Sequence, residues 1–194
     1  MTKSRLEAFS DGVLAIIITI MVLEIKVPHE VSIHALKELY PVFLSYLMSF
    51  VFIAIYWGNH HHLLHTIKTV NSKIIWANNG LLFVLSLIPF STGYMGENHF
   101  AELTVAVYAI NILFSAFAAY LLQRAVFEVA PEHSAMVAAM KKVKSKIFFS
   151  LGLNLLSIGL AFYVPMIAFA IVGAVMVLWL IPDKHVERAL NTGS

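Results

Sequence analysis

Apolar residues come in runs of membrane length along this chain, and polar residues gather where those runs end. A hydrocarbon layer about 30 Å thick takes around 20 helical residues to cross. On that measure the pattern predicts six helices, near Leu6 to Val27, Pro41 to Leu64, Ile74 to Met95, Leu103 to Val126, Ile147 to Tyr163 and Pro165 to Ile181. The breaks carry turn or breaker chemistry: Pro28 among charged neighbours, Asn71 with Ser72, Gly96 with Asn98, Pro131, the corner of Tyr163, Val164 and Pro165, and Pro182. Pro41 suits a first helical turn, where no amide hydrogen is needed. Pro89 falls late in the third stretch and predicts a bend there. The fifth and sixth stretches are short and parted by only a proline corner.

Composition turns this pattern into a class. With 60% hydrophobic and 12% charged residues in 194, the chain exceeds what a soluble domain of about half apolar composition hides. The reading is an all-α membrane protein, a single domain over residues 1–194. The absence of cysteine excludes disulfides, thiolate metal sites and thiol catalysis. Lys3 and Arg5 precede the first apolar run, but Glu24 and Lys26 follow it instead of a small-residue cleavage site, so it reads as a retained span.

Charge asymmetry supplies an orientation. With both termini in the cytoplasm, Lys3, Arg5, Lys68, Lys73, Arg124, Lys141, Lys142, Lys144, Lys146, Lys184 and Arg188 lie inside, and Lys26 and Lys37 lie outside. Eleven of the thirteen basic residues on one side follow the positive-inside rule. The cluster from Lys141 to Lys146 also suits anionic lipid.

Two patterns suggest chemistry that their context does not support. Ser91 to Gly96, STGYMG, resembles in its letters the TVGYG carbonyl filter of conventional potassium channels, but no re-entrant pore helix precedes it, so it reads as a helix end. His61 and His65 stand one helical turn apart, the spacing of zinc ligands, yet no carboxylate accompanies them. Histidines at a helix C-terminus also bond the last carbonyls, and that capping role is the simpler reading, with a pH-sensitive packing role as the other alternative.

The first helix is the most informative. Its cytoplasmic mouth reads RLEAFSD from Arg5 to Asp11 and places an acid where hydrocarbon disfavours it. At 100° per residue, Phe9, Gly12, Ile20 and Leu23 fall within about 40° of Ile16, with Thr19 about 60° to one side. Ser10 and Asp11 point roughly 120° to 140° away, towards polar partners such as Asn59, His60, His61, Asn78 or Asn79. Glu24 sits near the outer end, either drawing cations to that mouth or pairing with Lys26.

RLEAFSDGVLAIIITIMVLEI resembles the first-helix signature, arginine, three residues, then Phe-Ser-Asp, of the bacterial relatives of the endolysosomal potassium channel of animals. Tyr56, Trp57, His61 and His62 at the close of the second span extend the resemblance, as does a six-span length. The resemblance implies a homotetramer with six transmembrane helices per subunit and a pore lined by the first helix. It further implies a constriction at Ile16, apolar layers at Ile20 and Leu23, a selectivity-associated hydroxyl at Thr19, and a motif network of Arg5, Phe9, Ser10, Asp11, Trp57 and His61.

Four copies around an axis turn each stripe inward, and isoleucine rings gate by excluding water and select through the cost of stripping hydration. The expected activity is modestly potassium-selective conduction across the cell membrane. Potassium is then a permeant ion and membrane lipid the surroundings, with no cofactor, metal or nucleic-acid partner. An enzyme is disfavoured, because no strained nucleophile elbow or catalytic pair accompanies Ser10 and Asp11. A secondary transporter would want related halves, and no three-plus-three repeat is evident. A proton path through Asp11 and the His60 to His62 cluster is the stronger rival, acids and histidines being the usual relay groups.

Overall fold

The computed structural model describes residues 2–130 and 144–180. Pro131, Lys141, Lys142, Ile181, Pro182, Lys184 and Arg188, which figured in the boundary and charge arguments, lie outside the described residues. The described chain holds helices α1 (Lys3–Leu23), α2 (Ile33–Glu38), α3 (Tyr40–His65), α4 (Ser72–Leu85), α5 (Ile88–Glu97), α6 (Glu102–Phe127), α7 (Lys144–Ala161) and α8 (Pro165–Leu180).

Among the described residues four segments are long and apolar enough to cross a membrane: Lys3–Leu23, Tyr40–His65, Ser72–Glu97 and Glu102–Phe127. At 1.5 Å per residue the described parts of α7 and α8, 18 and 16 residues, cover about 27 and 24 Å. The structure is thus an all-helical, multi-pass membrane architecture, with the fifth and sixth predicted spans as shorter apolar helices. Outside the predicted set is α2, six residues that begin where Ser32 accepts the Ala35 N–H at 3.1 Å. The predicted third stretch is divided into α4 and α5. Pro89 brings no N–H to the Leu85 carbonyl, and the chain tightens ahead of it, with the Leu87 N–H bonding Val84 O at 3.2 Å.

Three devices set how the helices pack. Asn71 caps α4, accepting the Ile74 N–H at 3.0 Å. Gly96 lets α5 approach α3 closely, since a Cβ there would stand 2.8 Å from Val42 Cα and 2.5 Å from Ser45 Oγ. Between α5 and α6, His99 and Phe100 adopt left-handed backbone with φ of 51° and 59°. That tight corner turns Phe100 inward, its ring centre 4.8 Å from that of Phe169 on α8.

Ion pairs clamp the two ends of the molecule. Lys26 meets Glu97 at 2.6 Å where α1 and α5 finish, and Lys73 meets Glu128 at 2.7 Å where α4 starts and α6 finishes. The Glu97 carboxylate raises the Lys26 pKa, and the Lys73 ammonium lowers that of Glu128. Both pairs are exposed, so they orient loops more than they stabilise. Lys26 therefore does not pair with Glu24, whose side chain lies over Gly93 instead. Antiparallel packing gathers Lys3, Arg5, Lys68, Lys73, Arg124, Lys144 and Lys146 at one end, with Lys26 and Lys37 at the other.

Candidate pore helix and its anchor

Two unlike faces of α1 define the candidate site. Leu6, Ser10, Leu14, Ile17 and Met21, three or four residues apart, are buried against α3, α4 and α5. On the open side Phe9, Ile16, Ile20 and Leu23 are 55%, 60%, 42% and 74% exposed. Ile16, Ile20 and Leu23 thus stand uncovered in successive layers spanning about 10 Å of helix. Thr19 is also open, its hydroxyl donating to the Ala15 carbonyl at 2.8 Å, which leaves its oxygen free to accept from water. Ala15 is exposed as well, whereas Ile18 is half-buried.

A one-way chain of hydrogen bonds holds the buried face. Ser10 donates to the Leu6 carbonyl at 2.8 Å and accepts from Asn78 Nδ2 at 3.0 Å. Asn78 Oδ1 in turn accepts from His60 Nε2 at 2.7 Å. Ser10 and Asn78 are fully buried and His60 nearly so, so these three helices are joined without an unpaired amide or hydroxyl.

Asp11 differs from its expected placement. Ser10 and Asp11 do lie 120° to 140° from the stripe, but in opposite senses around the helix, so only Ser10 reaches the packed side. Asp11 is exposed, and its Oδ1 accepts from Trp57 Nε1 at 3.0 Å, a residue absent from the polar partners that helix geometry suggested but present in the motif network that the resemblance implied. Trp57 stacks on His61, ring centres 6.3 Å apart, and His61 meets His65 edge-on at 5.3 Å. His61 therefore reaches α1 only by way of Trp57, while His60 holds the direct buried connection. Among the described residues no third ligand joins His61 and His65 to hold a metal ion. Arg5 is exposed and makes no ion pair among the described residues.

A second buried polar cluster, unmarked in the sequence, lies beside the outer half of α1. Ser49 lies 2.7 Å from the Thr92 hydroxyl and 3.0 Å from the Tyr108 hydroxyl, and Thr92 reaches Met21 Sδ at 4.0 Å. A tyrosine and a serine inside apolar runs were the available signal, since buried hydroxyls in a bundle need partners. Thr92 belongs to the STGYMG segment, which is helical through α5 and largely buried. Its carbonyls are committed to helix, which rules out an extended filter there.

Residues 5–89 match the family described as endosomal/lysosomal potassium channel TMEM175. The chain is 48% identical to a potassium channel from a Chryseobacterium species over 191 residues, covering 98% of this chain and 99% of that one. A potassium channel from Chamaesiphon minutus is 38% identical over 54% of this chain and 56% of its own length. The human endosomal/lysosomal proton channel TMEM175 is 37% identical over 45% of this chain and 19% of its own. The crystal structure of a lysosomal potassium-selective channel TMEM175 homolog from Chamaesiphon minutus superposes with a TM-score of 0.80 at 27% identity, covering 94% of this chain and 98% of that one.

Proposed function

Since this chain belongs to the TMEM175 family, we propose that it is a potassium channel, a homotetramer in which four α1 helices line the conduction path. The observation that carries this reading is the uncovered arc of α1. Arg5, Asp11 and Thr19 share that arc with Ile16, Ile20 and Leu23, and together they leave more than half of the helix circumference open. Hydrocarbon disfavours an exposed aspartate or arginine by roughly 2.5 to 3.5 kcal/mol at a bilayer centre, so this arc suits water or a second copy better than lipid. Four copies satisfy both needs: the stripe turns to the axis, and the side bearing Ala8 and Ala15 meets a neighbour, where small residues permit close approach.

In this pore Ile16 forms the narrowest ring, with Ile20 and Leu23 further outward, and Thr19 offers a hydroxyl between apolar layers. A ring of this kind holds no ion site, so selectivity arises from hydration: potassium sheds water more readily than sodium. The Ser10, Asn78 and His60 chain fixes the rotation of α1 that keeps Ile16 on the axis, and Arg5, Phe9, Asp11, Trp57 and His61 complete the support at the cytoplasmic entrance. No resident cofactor takes part.

The test is flux in liposomes. Purified protein is expected to pass potassium faster than sodium, in single-channel steps when recorded in bilayers, with proton flux measured in parallel. Saturation at turnover rates, or proton flux without potassium flux, would remove the proposal. The same reading places both termini in the cytoplasm of a cell-membrane protein, from the basic end of the bundle. A cysteine at Asn98, clean in this cysteine-free chain, is expected to react with impermeant reagent from outside the cell; reaction only from the cytoplasmic side would reverse the orientation.

A further inference from the structure

At the basic end of the bundle, α3, α4, α6, α7 and α8 enclose a cavity of about 590 Å³ to which α1 contributes nothing. Its size falls within the roughly 300–1,000 Å³ of ligand pockets. One wall is apolar, built from Phe52, Ile112, Ala116, Val172 and Met176. The wall runs inward along α6 from Gln123 to Ile112, about 16 Å of helix, which is close to half of a 30 Å hydrocarbon layer. The cavity therefore has the depth of one leaflet.

The part of the lining that α7 supplies is polar in a regular way. Lys146, Ser150 and Asn154 of α7 follow one another at four-residue intervals and so share one helix face on the cavity. The Lys146 ammonium lies 4.7 Å from the ring centre of Trp179, at the mouth. Ser150 accepts from Trp179 Nε1 at 2.9 Å and keeps its own hydrogen to donate. Asn154, only 2% exposed, has its Oδ1 without a hydrogen-bond partner among the described residues. A buried amide left so is costly, and a half-turn of the side chain exchanges its oxygen for a donor.

A cation and donors on α7, further polar groups from Asn59, His60, His62 and Gln123, and apolar side chains from α3, α6 and α8 describe an amphiphile lying parallel to the helices. We propose that this cavity binds one anionic phospholipid of the leaflet at the basic end. Its phosphate sits at Lys146, an ester carbonyl is met by Ser150 and Asn154, and one acyl chain lies against Phe52, Ala116 and Val172. The charge preference follows from the Lys146 ammonium, set at the end of the bundle that faces the anionic leaflet. The cavity shares His60 with the anchor of α1 but has no residue of α1 in its lining, so failure of the channel reading leaves its test intact.

The test uses the full chain in phosphatidylcholine vesicles doped with phosphatidylglycerol whose acyl chains are brominated. Bromine quenches tryptophan only at contact, and the Trp179 signal is isolated as the part of the fluorescence lost in Trp179→Phe. Quenching of that part is expected to saturate at a mole fraction roughly fivefold lower than with brominated phosphatidylcholine, the ratio that a single lysine near an anionic surface supplies. Lys146→Gln is expected to abolish the preference between the two lipids. Ala116→Phe, which fills the apolar wall, is expected to remove the saturable component, and the smaller Ala116→Leu to reduce it in protein that remains folded. Equal quenching by the two lipids at every mole fraction overturns the proposal, as does a saturable component that survives both Ala116 variants.

Discussion

Replacing Ile16 by Asn is expected to raise cation flux and pull the potassium-to-sodium preference towards parity. Ile16 is 60% exposed on α1, and on the pore reading its four copies make a ring that water avoids. An amide in its place gives water and partly hydrated ions a partner. A hydrogen bond of about 1 kcal/mol gained at the barrier corresponds to roughly fivefold in rate. Because sodium holds its hydration more tightly, it gains most from a wetted ring, and selectivity falls as conductance rises. Ile18→Asn provides the contrast, since Ile18 is half-buried on another face; it is expected to lower stability without altering ion preference. Paired recordings of the two variants in matched potassium and sodium gradients decide the matter. An assembled Ile16→Asn channel with unchanged flux and preference would show that α1 does not line the path.

The largest loss of stability is expected at Asn78. Its side chain donates to Ser10 and accepts from His60, and it is fully buried. Asn78→Ala removes both bonds at once and leaves the buried His60 Nε2 unpaired, at a cost of about 1–3 kcal/mol, while Ser10 loses a donor but keeps its own bond to the Leu6 carbonyl. Asp11→Ala is expected to cost less, about 1 kcal/mol or below in the single subunit, because Asp11 and Trp57 are both exposed and water replaces the lost partner. Thermal melts of the two variants in one detergent measure the order. A larger loss for Asp11→Ala would mean that a neighbouring copy covers the acid in the assembly, and that the cytoplasmic end of α1 is gripped between subunits.

Much of this was legible in the sequence, because the helical period is a local property. The apolar runs located α1, α3, α6 and the α4 and α5 pair to within a few residues, and Pro89 marked where that pair divides. The 100° step likewise separated the stripe of Phe9, Ile16, Ile20 and Leu23 from Ser10, and the structure leaves the first open and buries the second. The short helix α2 escaped because six residues with one serine cap are a weak signal against a loop background.

What the sequence by itself determined is therefore which residues share a face and where the apolar runs begin and end. Only the tertiary structure decided which neighbour each face meets. Ser10 and Asp11 lie at similar angles from the stripe, yet packing buries one against Asn78 and leaves the other to Trp57. Four consecutive polar residues from Asn59 to His62 look alike in the sequence, and it is His60 that turns to Asn78. The cavity beside α7 has the same origin, its walls coming from helices more than a hundred residues apart. The physical reason is that periodicity fixes direction around one axis only, whereas partnership depends on where the other axes lie. In a bundle, side-chain packing and the pairing of buried polar groups settle those positions together.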